Sequence, residues 1–228
     1  GAGRGRGGSQ MVRFSESAGI VPHLGREEAE SRHQYYLGPE HLLLGLLIQG
    51  DNLAARVLRA HGLDLGTVRA GLDPLIAEGL LPGPQPSDAE LLATLGIDLD
   101  AVLGRLKETF GWEAYYDAAQ RVRLRPIHPI PHAPMAGTPL TCHRVLVLAS
   151  REAAARDQEV APMHLLLGLL GDAENPVDAG LSLGERRLRA MLGLPNRGAS
   201  PVRLLVEAHG LTLDQLRAAT LEELDQTR

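Results

Sequence analysis

One cysteine, one tryptophan, two phenylalanines and a single lysine are all that 228 residues hold of those types. With Cys142 alone, no intramolecular disulfide and no cysteine-based zinc site can form, which suits a reducing, cytoplasmic setting. Aromatics make up 3% of the chain, so its core must be aliphatic, and the Val/Ile/Tyr/Phe-rich segments of a sheet protein are missing. The expectation is all-α. Lys107 sits in GRLKETF rather than in GKS or GKT, so no P-loop exists to cradle a nucleotide. No apolar run approaches the roughly 18 to 20 residues that cross a bilayer, and no signal-peptide core follows the N-terminus. Net charge is −5 with a pI near 6.0, and apart from Arg121, Arg123 and Arg125 the basic residues are scattered among acids, which argues against nucleic acid. HExxH, GxSxG, CxxC and a GxGxxG between strand and helix are all absent. The expectation is a non-enzyme without cofactor. His128 and His132 lack the third ligand a metal site needs, so no metal is expected either.

What the chain does have is a repeat. LGPEHLLLGLL, Leu37 to Leu47, returns as VAPMHLLLGLL, Val160 to Leu170, with HLLLGLL unchanged. Pro39 and Pro162 fit the first turn of a helix, where a missing N–H is not needed. The leucines that follow cover nearly every side, which marks a buried central helix rather than a surface one. Each copy is expected to be the hub of its own small bundle. Further on, SPVRLLVEAHGLTLDQLRAA repeats DNLAARVLRAHGLDLGTVRAG, and REA-A near Arg151 echoes REEA at Arg26 to Ala29. Two four-helix units related by internal duplication fit the pattern.

In order, residues 1–12 read as a Gly/Arg-rich flexible tail and 13–79 as the first unit. Ser15 is a plausible cap for a first helix that Pro22 should kink or delay, at about 3 kcal/mol for an interior proline. Asn52 and Asp64 cap the next helices, and Gly62 and Gly79 end them. Residues 80–137 form a linker with short helices capped by Ser87 and Asp98, one more helix over Trp112 to Val122, and a proline-rich connector from Arg125 to Pro139. The second unit, 138–228, opens with Thr138 or Thr141 as cap and carries an insertion at about 171–199 that has no counterpart in the first.

The run Arg13 to Glu16, the A-x6-Y-x-G-x-E-H-LLLGLL pattern from Ala29 to Leu47, LAARVL at Leu53 to Leu58 and HLLLGLL at His164 to Leu170 together resemble the N-terminal domain of the Clp chaperone ATPases, ClpC and ClpA type. The resemblance implies tandem duplicated four-helix repeats with pseudo-twofold symmetry, here free-standing without the ATPase rings. It also implies a role in regulated proteolysis, binding protein substrates, degradation tags, Clp protease or chaperone components, or a small peptide-like ligand. A decoy that sequesters antibiotics aimed at the Clp N-domain is the alternative. ClpC-type members bind phosphoarginine, and the resemblance places Glu40 on the guanidinium and Ser15 on the phosphate. A carboxylate suits a planar guanidinium, and a helix start suits a phosphate. Equally open is the plainer reading that Glu40 stabilises its own helix N-terminus by about 0.3 to 1 kcal/mol. In the second copy Met163 replaces the acid, so one such site is expected, not two. His41 and His164 are read as fixing a neighbouring backbone carbonyl, and His61 and His209 as helix-end residues.

Overall fold

The computed structural model describes residues 13–114 and 139–226. The expectations for residues 1–12, most of Trp112 to Val122, Arg121, Arg123, Arg125, His128, His132 and Thr138 lie outside the described residues. The described residues are all-α, with no strand among them. The first unit holds α1 (Glu16–Ser31), α2 (Pro39–Gln49), α3 (Leu53–Ala60) and α4 (Leu65–Ala77). Two short helices follow, α5 (Asp88–Thr94) and α6 (Leu99–Phe110). The second unit has α7 (His143–Ala154), α8 (Pro162–Ala173), α9 (Leu183–Met191), α10 (Pro201–Ala208) and α11 (Leu213–Gln226), with α9 lying in the insertion.

Most helix starts follow from side-chain oxygens. Ser15, Asn52, Asp64 and Asp98 accept from Ala18, Ala55, Thr67 and Ala101 N–H at 2.8–3.1 Å. Ser87 and Ser182 form reciprocal capping boxes with Glu90 and Glu185. Two expectations need correction. α1 runs unbroken through Pro22, because a single interior proline removes one hydrogen bond while Ser15 still anchors the start and Pro22 itself is buried. The cap of α7 is Cys142, without a side-chain bond. Thr141 is instead engaged with Leu37, its N–H donating to the Leu37 carbonyl at 3.0 Å.

α2 and α8 are the buried hubs. Leu42 to Leu47 and Leu165 to Leu170 are almost wholly inaccessible, and the core residues of both units form one continuous cluster. A helix apolar all round cannot be covered by three short neighbours, so the two hubs also touch each other and α3, α10 and α11 cross between units. Within each unit, first and second helices approach closely at a glycine. A Cβ on Gly45 would fall on the Val21 carbonyl oxygen, and one on Gly168 would lie 2.5 Å from the Val145 oxygen. Matching ion pairs strap the outer helices. Arg69 of α4 grips Glu28 of α1 at 2.9 and 2.6 Å, and Arg217 of α11 reaches Glu152 of α7 at 2.6 Å.

The seam between units is crosswise. Phe14, just before α1, forms a parallel bridge with Val160, just before α8, while Leu37, just before α2, bridges Leu140, just before α7. Each unit's first helix therefore starts against the other unit's hub.

Candidate functional site

Glu40 is the second residue of α2 and only 1% exposed. Its carboxylate accepts from the Tyr36 hydroxyl at 2.6 Å and folds back over Gly38, where a Cβ would fall on the carboxylate itself. His41 fixes a backbone N–H, not a carbonyl: its Nδ1 accepts from Gly38 N at 3.1 Å. The ring then carries its proton on Nε2, which donates to Gln34 Oε1 at 2.9 Å, and Gln34 passes its own amide to the Pro82 carbonyl at 2.7 Å. Burial lowers the His41 pKa despite the nearby Glu40 charge, so this ring stays neutral. His61 and His209 stand at helix ends, each Nδ1–H donating to a carbonyl one turn back, Val57 at 2.9 Å and Leu205 at 2.7 Å.

The structure does not bring Ser15 to Glu40. Ser15 donates its N–H to Val160 O at 3.0 Å, and Ser17 receives both bonds of the Gln49 amide at the last residue of α2. Glu40 lies at the other end of that helix, about 14 Å away at 1.5 Å per residue. Two hydroxyls share a cavity with Glu40, Thr141, brought by the crosswise seam, and Ser200.

That cavity is about 60 Å³ and also takes in Arg144, Asp172, Arg189 and Ser200. The insertion closes it. Arg189 of α9 is 8% exposed, with Nε and Nη2 donating to the Pro195 carbonyl at 3.0 and 2.7 Å. Burial lowers the Arg189 pKa, and the charges of Glu40, Tyr36 and Asp172 oppose that shift. Burial, followed by the Glu40 charge, pushes the Tyr36 hydroxyl well up. Asp172 is bound by Arg144 Nε, yet its burial still raises its pKa. A guanidinium thus already sits in the field of Glu40, and it belongs to the chain.

The pseudo-equivalent start of α8 differs. Ala161 and Met163 stand where the first unit has Gly38 and Glu40, and a cavity of about 350 Å³ opens beside them, bounded also by Ser17, Asp51, Leu53, Glu159 and His164. Among the described residues no cluster of three metal-ligating side chains occurs, and no helix is long and apolar enough to cross a membrane.

Residues 13–88 match the Clp repeat (R) N-terminal domain family. The chain is Clp N-domain-like. Over 110 residues it is 37% identical to a ClpA homologue of the Clp protease ATP-binding subunit from Guillardia theta, covering 42% of this chain and 13% of that protein. Over 67 residues it is 40% identical to the negative regulator of genetic competence ClpC/MecB of Bacillus subtilis, covering 29% of this chain and 8% of that one. The match to the ClpD N-terminal domain of Arabidopsis thaliana spans 96% of this chain and 99% of that chain, with a TM-score of 0.49 and 15% identity. This Clp N-domain-like chain thus corresponds to a small part of its curated relatives.

Sequence reading missed Thr141, Arg144 and Arg189 at the Glu40 cavity. The signal for Thr141 was present, since it precedes α7 as Ser15 precedes α1, but a linear repeat does not say which hub each start will face. Nothing in the GERRLRAM stretch marks Arg189 among four neighbouring basic and acidic residues.

Proposed function

We propose that this Clp N-domain-like chain is a non-catalytic docking module that receives protein segments for Clp-type chaperones. The crosswise seam carries the reading: two helix starts, each backed by a rigid leucine hub, open on cavities built from both units. The cavity at the α8 start is open as it stands, so binding there need not order the fold first. The Glu40 cavity, with Thr141 rather than Ser15 beside it, is the place for an arginine-phosphorylated tag. With only about 60 Å³ free, such a tag enters when Arg189 leaves. Isothermal titration of the full chain with denatured β-casein, unmodified and arginine-phosphorylated, tests this. Saturable binding of either form is the expected result, with the phosphorylated form gaining most in the Arg189→Ala chain. Failure of both forms to bind either chain would overturn the docking reading.

A further inference from the structure

His164 is 1% exposed, and its Nδ1 accepts the Ala161 N–H at 3.0 Å. The ring proton therefore lies on Nε2, a donor, and Nε2 has no hydrogen-bond partner. In the first unit the matching nitrogen is satisfied by Gln34. The reason for the difference is one residue of loop. His33 and Asp157 both take φ 54°, and the next residues, Gln34 and Gln158, both donate N–H to an alanine five residues back, Ala29 at 2.8 Å and Ala153 at 3.0 Å. From there the first unit spends Tyr35 and Tyr36 before Leu37, whereas the second spends only Glu159 before Val160. Gln34 is tucked in at 2% exposure, while Gln158 is left exposed and brings no acceptor to the ring. An unsatisfied buried donor is destabilising, and a ligand acceptor brought to it would relieve that cost.

His164 lines the 350 Å³ cavity, whose apolar surface comes from Leu53, Pro162, Met163 and Leu224. Among the described residues its charged lining is Asp51 and Glu159, both acidic. An anion has little to hold there. Pro162 has no N–H, the Ala161 N–H is taken by His164, and the His164 and Leu165 N–H groups bond to the Ala161 carbonyl, so the helix start keeps little free donor capacity.

We infer that this cavity is a second binding site, distinct from that of Glu40, for an unphosphorylated peptide segment with an apolar side chain next to a basic one. The apolar side chain covers Leu53, the basic residue faces Asp51 and Glu159, and a backbone carbonyl reaches the buried His164 Nε2–H as the exposed Gln158 and Glu159 move aside. This rests on the docking reading and gives it a ligand class that needs no phosphoarginine.

The test is an NMR titration of the ¹⁵N-labelled full chain with acetyl-Gly-Leu-Arg-Gly-amide, and with the same peptide carrying glutamate in place of arginine. Shifts should cluster at Leu53, Met163, His164 and Leu224, the His164 Nε2–H resonance should move, and the glutamate peptide should leave them unmoved. His164→Ala removes a backbone partner as well as the donor, so Leu53→Asp serves as the second variant. An acid in the first turn of α3 suits that helix start and places a charge in the apolar floor, and it should abolish the shifts. Asp51→Asn with Glu159→Gln should weaken the arginine peptide severalfold, as exposed ion pairs do. Equal binding of the glutamate peptide, or no shift at these four residues, would overturn the site. Casein binding that persists without peptide shifts removes this site alone, whereas loss of both removes the docking reading with it.

Discussion

The glycine of HLLLGLL is placed where two helix backbones touch, and its replacement gives a sign test. At Gly168 an added Cβ would sit 2.5 Å from the Val145 oxygen, 2.9 Å from the Ala149 nitrogen and 3.0 Å from the Ala149 Cβ. Two of these atoms are α7 backbone, which cannot swing aside as a side-chain tip would. Ordinary contact requires the helices to part, and overpacking of this kind costs about 1 to 3 kcal/mol. Alanine recovers about 1 kcal/mol of helix propensity over glycine. The net for Gly168→Ala is about 0 to 2 kcal/mol of lost stability, toward the upper end because two of the three contacts are backbone. Gly45→Ala should behave alike, since its Cβ would meet the Val21 oxygen and approach Gly25 N to 3.1 Å. Gly19 and Gly104 are the controls: both lie inside helices with nothing within 4 Å of an added Cβ, so alanine there should stabilise by about 0.5 to 1 kcal/mol. Urea unfolding followed by circular dichroism, compared at constant m-value, reads both signs. Gly168→Ala more stable than the parent, or all four variants shifting one way, would refute the close-approach argument.

Three further outcomes follow from the ion pairs and the paired helix starts. Burial raises the Glu28 pKa but hydrogen bonds from Arg69 and Arg32 outweigh it, so the folded value lies below the ordinary 4.5. Its stabilisation is therefore full above that value and lost as pH falls through the folded one, and Glu28→Gln should flatten that part of an acid stability curve. Arg189→Ala removes the two bonds to the Pro195 carbonyl and the cation that lines the Glu40 cavity, which should cost about 1.5 to 3 kcal/mol as for a hydrogen bond from a charged group. Added phosphoarginine should then raise the melting temperature of the variant and leave the parent unmoved; equal response of both would refute the occupied-site account. Met163→Glu alone should gain no phosphoarginine binding in calorimetry, because the Ala161 Cβ stands where the Glu40 carboxylate folds over Gly38, whereas Met163→Glu with Ala161→Gly should gain some.

Local signals in the sequence were sufficient for the helices and their hubs. Asn52, Asp64, Ser87 and Asp98 act as caps because each side-chain oxygen accepts from an N–H three residues on, a relation fixed by chain geometry alone. The all-leucine surface of α2 and α8 required burial on every side, and that too needs no tertiary knowledge. Pro22 does not delay the start of α1, because its cost is local, one lost bond, and the residue is buried. Ser15 and Glu40 were joined on the resemblance, while the fold set them at opposite ends of α2; a duplicated sequence is silent on whether its copies pair side by side or crosswise. Glu28 with Arg69 and Glu152 with Arg217 were visible as repeated letters, but not as partners, since 41 and 65 residues separate them.

The two units have diverged in coupled steps. Gly38 with Glu40 and Ala161 with Met163 form two self-consistent pairs, because a carboxylate folded over its helix start excludes a Cβ two residues earlier. A one-residue difference in the preceding loop then decides whether the hub histidine is satisfied from within, as His41 is, or left with a free donor, as His164 is. The insertion acts on the acidic copy alone, placing Arg189 at Glu40. Three local features thus distinguish the two helix starts, one closed and charged, the other open and apolar. Reversing any one of them singly should leave a mismatch, which is why the glycine and the glutamate must be exchanged together to convert one start into the other.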